Sequence, residues 1–208
     1  MIKTTLYPKT TRISVKARGI IVTEKLDGSN LGFFVRDGEL YIAQRNNVFT
    51  MSEALAPNSP TSEILYKGLS KWLIDNGNVL KELIYEGTII FGEWIGMGQL
   101  KYDFEDRCFM FAKGRFDEFG NVVKLTYDLS LLHYAFNNQE FPSFIKRVPK
   151  VVELGSYPRL EDLDELYEQY TKEVNRNVEG FVINQNETIR KYVRMKNGKL
   201  TPHVERGE

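Results

Sequence analysis

The residues best suited to do chemistry lie between Glu24 and Asn30, in the run Glu-Lys-Leu-Asp-Gly-Ser-Asn. A lysine amine becomes a nucleophile when its surroundings keep it partly neutral, and a rigid scaffold can supply such surroundings. Lys25 follows Gly19-Ile20-Ile21-Val22-Thr23, an apolar β-branched run that reads as a buried strand. A second strand-like run, Leu31 to Arg36, comes soon after. Gly28 and Asn30 both tolerate positive φ, so the expectation is a tight bend between two strands. Lys25 would then be aimed into that bend with Asp27 beside it. The same letters also read as a solvated lysine next to a turn aspartate, and this segment alone leaves both readings open.

The elements that must position this run can be read along the chain. Asp37-Gly38, between Leu31–Arg36 and Glu39–Arg45, is the strongest hairpin signal. An antiparallel meander would bring Arg45 back toward the Lys25 end of the sheet. Met51 to Asn58 reads as loop or short helix, broken by Pro57 and Pro60. Thr61 to Asn76 has apolar residues at helical spacing, with Trp72 in the core and Asn76-Gly77 as the stop. Thr88 to Gly96 is a buried strand carrying Glu93, a carboxylate that needs a partner wherever it is desolvated. Arg107–Phe116 and Val122–Thr126 read as paired strands, and Asp128 caps a helix through Phe136 in which His133 is an ordinary helical residue.

In the last third, Lys150–Leu154 is a short strand and Leu160–Val174 an acidic amphipathic helix burying Leu163, Leu166, Tyr167 and Tyr170. Val178–Ile183 is an apolar strand with Glu179 near its start, followed by a turn over Asn184–Glu187. Thr188–Lys196 reads as a strand in which Arg190, Arg194 and Lys196 share parity and so one face. Such a stripe is either an ion-pair ladder or an anion site.

Bulk composition limits the possibilities. With 42% hydrophobic and 27% charged residues among 208, the chain has ordinary globular values and one sizeable core. Its 13 Phe and 11 Tyr favour sheet packing. The 28 basic residues balance the 28 acidic ones, so no global field points to nucleic acid and any such site is a local patch. One cysteine, Cys108, excludes an internal disulfide and fits a reducing compartment. No apolar run approaches the ~20 residues that span a bilayer. The expectation is a soluble, cytoplasmic protein, with the basic segment Met1–Arg18 leading into the first strand.

Taken in order, these pieces acquire a shared meaning. Lys-x-Asp-Gly, an arginine, Phe-Gly-Glu, an aromatic strand, Glu-Gly-Phe-Val-Ile and a basic-x-Lys strand resemble the covalent nucleotidyltransferase superfamily of polynucleotide ligases and RNA capping enzymes. Glu-Lys-Leu-Asp-Gly-Ser-Asn with Arg45 twenty positions after Lys25 is most similar to the RNA ligase 2-like branch. The resemblance runs from about Ile20 to Lys196. It implies an α+β fold over 1–208: a single adenylation domain of twisted antiparallel sheets with flanking helices. One departure from the family pattern is expected: the sequence stops just beyond Lys196, without the C-terminal oligonucleotide-binding domain that many relatives append, so sealing would be weak or would depend on a protein partner or on the basic N-terminal segment.

The resemblance further implies an ATP-dependent RNA ligase, with RNA repair as its setting and RNA ends or nicked duplex as substrate. Lys25 would attack ATP and carry AMP as a lysyl adduct, which is passed to a 5′-phosphate and sealed by a 3′-hydroxyl. Glu24 would meet the adenine edge and Phe111 stack on its face, with Phe109 the alternative if the register differs. Asp27 would orient the lysine site and Asn30 the substrate ends. Arg45 would bind ribose or the acceptor strand, and Glu93 the ribose hydroxyls. Glu179 would hold Mg2+ or Mn2+, and Lys196 would neutralise the α-phosphate, as a nearby cation also helping to keep Lys25 neutral. Arg194 stands where relatives carry the first lysine of Lys-x-Lys; arginine keeps the charge and can grip phosphate with two donors. The alternatives are a DNA ligase, a GTP-dependent capping guanylyltransferase, or a non-catalytic module that binds nucleotides or RNA ends on the same scaffold.

Overall fold

A computed structural model describes residues 19–185, 188–196 and 198–202. The expectations for the lead-in 1–18 and for the far side of the turn at 186–187 lie outside the described residues. The α+β class on antiparallel sheets holds, and the span expected to form one domain packs as two compact units. One unit comprises Gly28–Gly98 and Tyr102–Arg147. The other, among the described residues, comprises 19–27, Gln99–Lys101 and everything from Val148 on.

Strand β1, Ile20–Lys25, belongs to this second unit. The first unit begins with β2 (Gly28–Arg36), β3 (Glu39–Gln44) and β4 (Val48–Thr50). Asp37 and Gly38 at the β2–β3 turn both have positive φ, 52° and 69°, as the hairpin signal requires. Helix α1, Met51–Leu55, starts on a reciprocal cap between Thr50 and Glu53. Helices α2 (Pro60–Ile64) and α3 (Leu69–Leu83) follow. Strands β5 (Thr88–Ile95), β6 (Cys108–Phe116) and β7 (Val122–Thr126) come next. A 3-10 helix, Leu129–Ala135, is capped by Asp128 as expected. The short β8, Lys146–Arg147, pairs in parallel with β6 beside the path β4-β3-β2-β5-β6-β7.

One helix expectation changes. The helical pattern assigned to Thr61–Asn76 breaks at Leu65–Gly68, and α3 runs through Asn76-Gly77 instead of stopping there. Gly77 is buried in mid-helix, where an added Cβ would sit 2.3 Å from the Met51 sulfur. The glycine therefore permits α1 to approach α3, which sequence cannot distinguish from a terminator. Trp72 of α3 stacks on Phe33 at 5.4 Å and meets Trp94 edge-on at 5.9 Å, in the core as expected.

The second unit is a four-stranded sheet, β11-β10-β1-β9, covered on one face by α4. Its remaining strands are β9 (Lys150–Leu154), β10 (Gly180–Gln185) and β11 (Thr188–Val193). Helix α4 spans Leu160–Val174, and a small hairpin pairs β12 (Met195–Lys196) with β13 (Lys199–Leu200). Alternation sorts the faces: Ile20, Val22, Phe181, Ile183 and Tyr192 pack against Leu163, Tyr167 and Tyr170 of α4. Burying each large apolar side chain contributes about 1.5–3 kcal/mol.

The chain bends at Asp27 between the first two strands, yet the two do not pair and the bend does not rest on Gly28 or Asn30. Strand β1 pairs with β9 and β10, whereas β2 pairs with β3 and β5 in the other unit. Gly28 and Asn30 are not positive-φ residues. A Cβ at Gly28 would lie 2.5 Å from the Trp94 carbonyl oxygen, so this glycine allows strand-to-strand approach instead of a turn. With β1 and β3 in different sheets, the meander expected to return Arg45 to the Lys25 strand does not exist.

Candidate active site

Register in the second unit fixes Lys25 at the last rung of β1, opposite Gly180. Glu179 immediately precedes that rung, and its Oε1 forms an ion pair with the Lys25 amine. The two side chains are 20% and 17% exposed. The other carboxylate oxygen of Glu179, Oε2, is buried and has no hydrogen-bond partner among the described residues. Burial pushes the Glu179 carboxyl above its ordinary range; Lys25 and, more weakly, Lys191 pull it down, while Asp27 pushes it up. Lys191 has the parity opposite to positions 190, 194 and 196, so the basic stripe read from sequence does not include it.

Asp27 accepts the backbone N–H of Gln99 at 2.6 Å and of Leu100 at 2.8 Å. It therefore ties the Gln99–Lys101 segment to the end of β1 and lies close enough to Glu179 to raise its proton affinity.

Glu24 has its own set of partners within the second unit. Alternation turns it to the face covered by α4, opposite Lys25. Its side chain is fully buried and gripped by both terminal nitrogens of Arg176, at 2.5 and 2.6 Å. The Tyr170 hydroxyl donates to the same carboxylate at 2.8 Å. Both oxygens therefore have partners inside this unit. Sequence showed the carboxylate but not the partner 152 residues away.

The basic stripe also resolves differently. Backbone N–H groups of Arg194 and Met195 both donate to the Glu179 carbonyl, at 2.9 and 3.0 Å, and this bulge ends β11 before Arg194. Arg190, Arg194 and Lys196 consequently do not share one continuous strand face. The Arg190 guanidinium lies over the Tyr157 ring at 4.6 Å. Arg194 bonds to Asp164 at 2.7 Å and to the Thr201 carbonyl at 3.0 Å, and lies over Tyr167. These contacts hold it against α4. Lys196 is exposed in β12, opposite Lys199. A surface depression beside α4 is lined by Asp164, Glu165, Glu168, Gln169 and Arg194.

In the first unit, Asn30 is opposite Glu93, and Glu93 is opposite Phe109. These three side chains share one face of one rung. Arg45 follows the last paired residue of β3, with its N–H donating to the Tyr66 hydroxyl at 3.3 Å; that hydroxyl donates in turn to the Asn30 carbonyl at 3.1 Å. Tyr66 is thus a hub that sequence reasoning missed, since nothing local distinguishes it from a core tyrosine. Burial raises its pKa, and Glu93 adds to the rise. The register skips Phe111: Phe91 pairs with Ala112 and Gly92 with Met110. Phe111 therefore stands in a bulge, half-buried, whereas Phe109 is buried against Phe104 at 4.9 Å.

Comparison with known proteins follows the same span. Naegleria gruberi RNA ligase with PPi is similar in fold, with TM-score 0.55 and 19% identity over 86% of this chain and 50% of that one. Variants of that ligase with AMP and Mn (TM-score 0.54, 19% identity) and with ATP and Mn (0.53, 17%) cover the same shares. This chain thus spans about half the length of those solved relatives. No curated protein sequence matches. The family model described as RNA ligase matches residues 18–197, from just before β1 through β12. A match over that much of the sequence places this chain in the RNA ligase family.

Proposed function

We propose that the chain is the catalytic part of an ATP-dependent RNA ligase in which Lys25 carries AMP covalently. The observation that supports this best is the Lys25–Glu179 pair: a largely buried amine facing a carboxylate whose second oxygen is buried without a partner among the described residues. The family match and the ATP, AMP and Mn named for the Naegleria structures point the same way.

That unpartnered oxygen also fits a divalent cation. Hard ions such as Mg2+ and Mn2+ take carboxylate and phosphate oxygens. No group of three or more His, Cys, Asp or Glu among the described residues could hold an ion by itself. Glu179 would therefore supply the protein ligand, with phosphate oxygens and water completing the shell. When bound, the cation neutralises phosphate charge.

Attack needs the Nζ lone pair, so Lys25 must leave Glu179 and shed a proton. Its nitrogen then forms a bond to the α-phosphorus of ATP, and the bond to the bridging oxygen breaks with release of pyrophosphate. Lys196 approaches the α-phosphate as charge builds, and Asp27 keeps the end of β1 and residues 99–100 in place. AMP next passes to an RNA 5′-phosphate, returning the free amine, and a 3′-hydroxyl displaces AMP to seal the strand. Asn30, Arg45, Glu93 and Phe111 keep the roles that the family resemblance implies toward ribose, base and strand ends. The shared rung of Asn30 and Glu93, and the Tyr66 hydroxyl that links Arg45 to Asn30, support a common task for these three.

Incubation of the full chain with α-labelled ATP or GTP and Mn2+, followed by denaturing electrophoresis, tests the proposal. Label from ATP, absent with GTP and absent in Lys25→Ala, is expected. A protein that takes no label from ATP refutes it, and label from GTP would make it a capping-type enzyme. Sealing assays on 5′-phosphorylated RNA and DNA nicks then separate RNA from DNA ligation.

A further inference from the structure

We infer that Arg176 is a positioning residue: its clamp on Glu24 sets where Glu179 stands relative to Lys25. This rests on the proposed lysine adenylylation and deepens it. Glu24 and Lys25 are neighbours in β1, and Arg176 and Glu179 lie on the segment between α4 and β10. The Glu24–Arg176 pair therefore joins, from the helix-covered face, the same two backbone segments that Lys25 and Glu179 join at the end of β1.

The intervening residues leave little slack. Asn175 ends α4 in the left-handed region (φ 50°, ψ 40°) and turns the chain back. Val178 is fully buried, and its carbonyl accepts the Tyr167 hydroxyl at 2.8 Å. The Glu179 carbonyl accepts two N–H groups. The Arg176 side chain thus grips this run from the helix-covered face, as Lys25 grips Glu179 at the end of β1, while Val178 and the backbone hold the residues between. A buried ion pair is a poor device for stability alone, since apolar residues of similar volume often do as well. Two parallel donors on one carboxylate are a good device for fixing distance and direction. Glu24 acts here through Arg176 and Tyr170, and Arg176 acts on the reaction without touching ATP.

The test is a double-mutant cycle on the full chain, using Glu24→Gln, Arg176→Met and both together. The readouts are the rate of labelling by α-labelled ATP, the Mn2+ concentration for half-maximal rate, and the apparent KM for ATP. Each single change is expected to slow labelling about 10- to 100-fold, since misplacement near 1 Å costs that much. The Mn2+ requirement should rise with little change in KM, because Glu179 is displaced but the nucleotide contacts are not. The double variant should be no slower than either single one, and Arg176→Lys should recover part of the rate. The double variant leaves no unpaired buried charge, so it serves if a single variant fails to fold. Additive losses, a raised KM confined to Glu24→Gln, or wild-type rate and Mn2+ dependence in the double variant would each overturn the inference. If the wild-type chain takes no label at all, the adenylylation reading has failed, and the clamp with it.

Discussion

Replacing Gly180 by alanine is the sharpest test of how the fold holds Glu179. Gly180 faces Val193 across the β10–β11 ladder and Lys25 across β1. An added Cβ would lie 2.0 Å from the Tyr192 carbonyl oxygen and 2.9 Å from Val193 Cα, both backbone atoms with no rotamer to yield. Restoring ordinary contact at 3.4 Å means opening the two strands by about 1.4 Å. Overpacking of this kind costs about 1–3 kcal/mol. The hydrogen bonds from Arg194 and Met195 to the Glu179 carbonyl lie at the same junction, and each contributes about 0.5–1.5 kcal/mol. Together the loss is about 2–6 kcal/mol, a large part of the ~5–15 kcal/mol that stabilises a domain. Urea unfolding of Gly180→Ala should show that loss, and the surviving folded protein should label with ATP far more slowly. Gly155→Ala, where nothing lies within 4 Å of the new methyl, is the control and should stay within about 0.5 kcal/mol of the parent. If Gly180→Ala matches the parent in both unfolding and labelling, close strand contact is not what places Glu179.

Other outcomes follow from the same geometry. Glu179→Gln should slow lysine labelling at least about 10-fold and weaken the response to Mn2+, while the protein stays folded by circular dichroism. Cys108 is buried and its thiol is pushed up to about 12, mainly by desolvation and further by Asp106, so it should resist thiol reagents until the protein unfolds. The folded state keeps that proton after the unfolded chain has lost it. The Cys108 contribution is therefore intact below the unfolded thiol's pKa of about 8.5 and is lost as pH rises toward 12. A parent-minus-Cys108→Ala difference in unfolding free energy that does not shrink over that window would refute it. Asp27→Ala removes the acceptor for two backbone N–H groups. Limited proteolysis near Gln99–Leu100 should then speed up severalfold, and an unchanged cleavage rate would show that Asp27 does not hold that segment.

What the sequence determined was what local rules and a shared motif order can carry. Periodicity placed α4, and the turn ahead of β7 placed that strand, at their observed bounds; Asp37-Gly38 made its hairpin; and Lys25 and Glu179, both singled out in the sequence, are brought into contact by the structure. Tertiary structure decided everything that depends on which strand lies beside which. A glycine looks alike whether it turns a chain, as Gly38 does, or admits a neighbour, as Gly28 and Gly77 do. Glu24 and Lys25 are adjacent letters, yet the pleat sends them to opposite faces, one into a clamp with Arg176 and the other to Glu179. Parity arguments for Arg194 and Lys196 failed because one carbonyl accepting two amides shifts the register, and that acceptor, at Glu179, lies just ahead of β10 and far away in sequence. Short-range propensity is encoded locally, whereas pairing, bulges and buried charge partners are chosen by packing over long sequence separations.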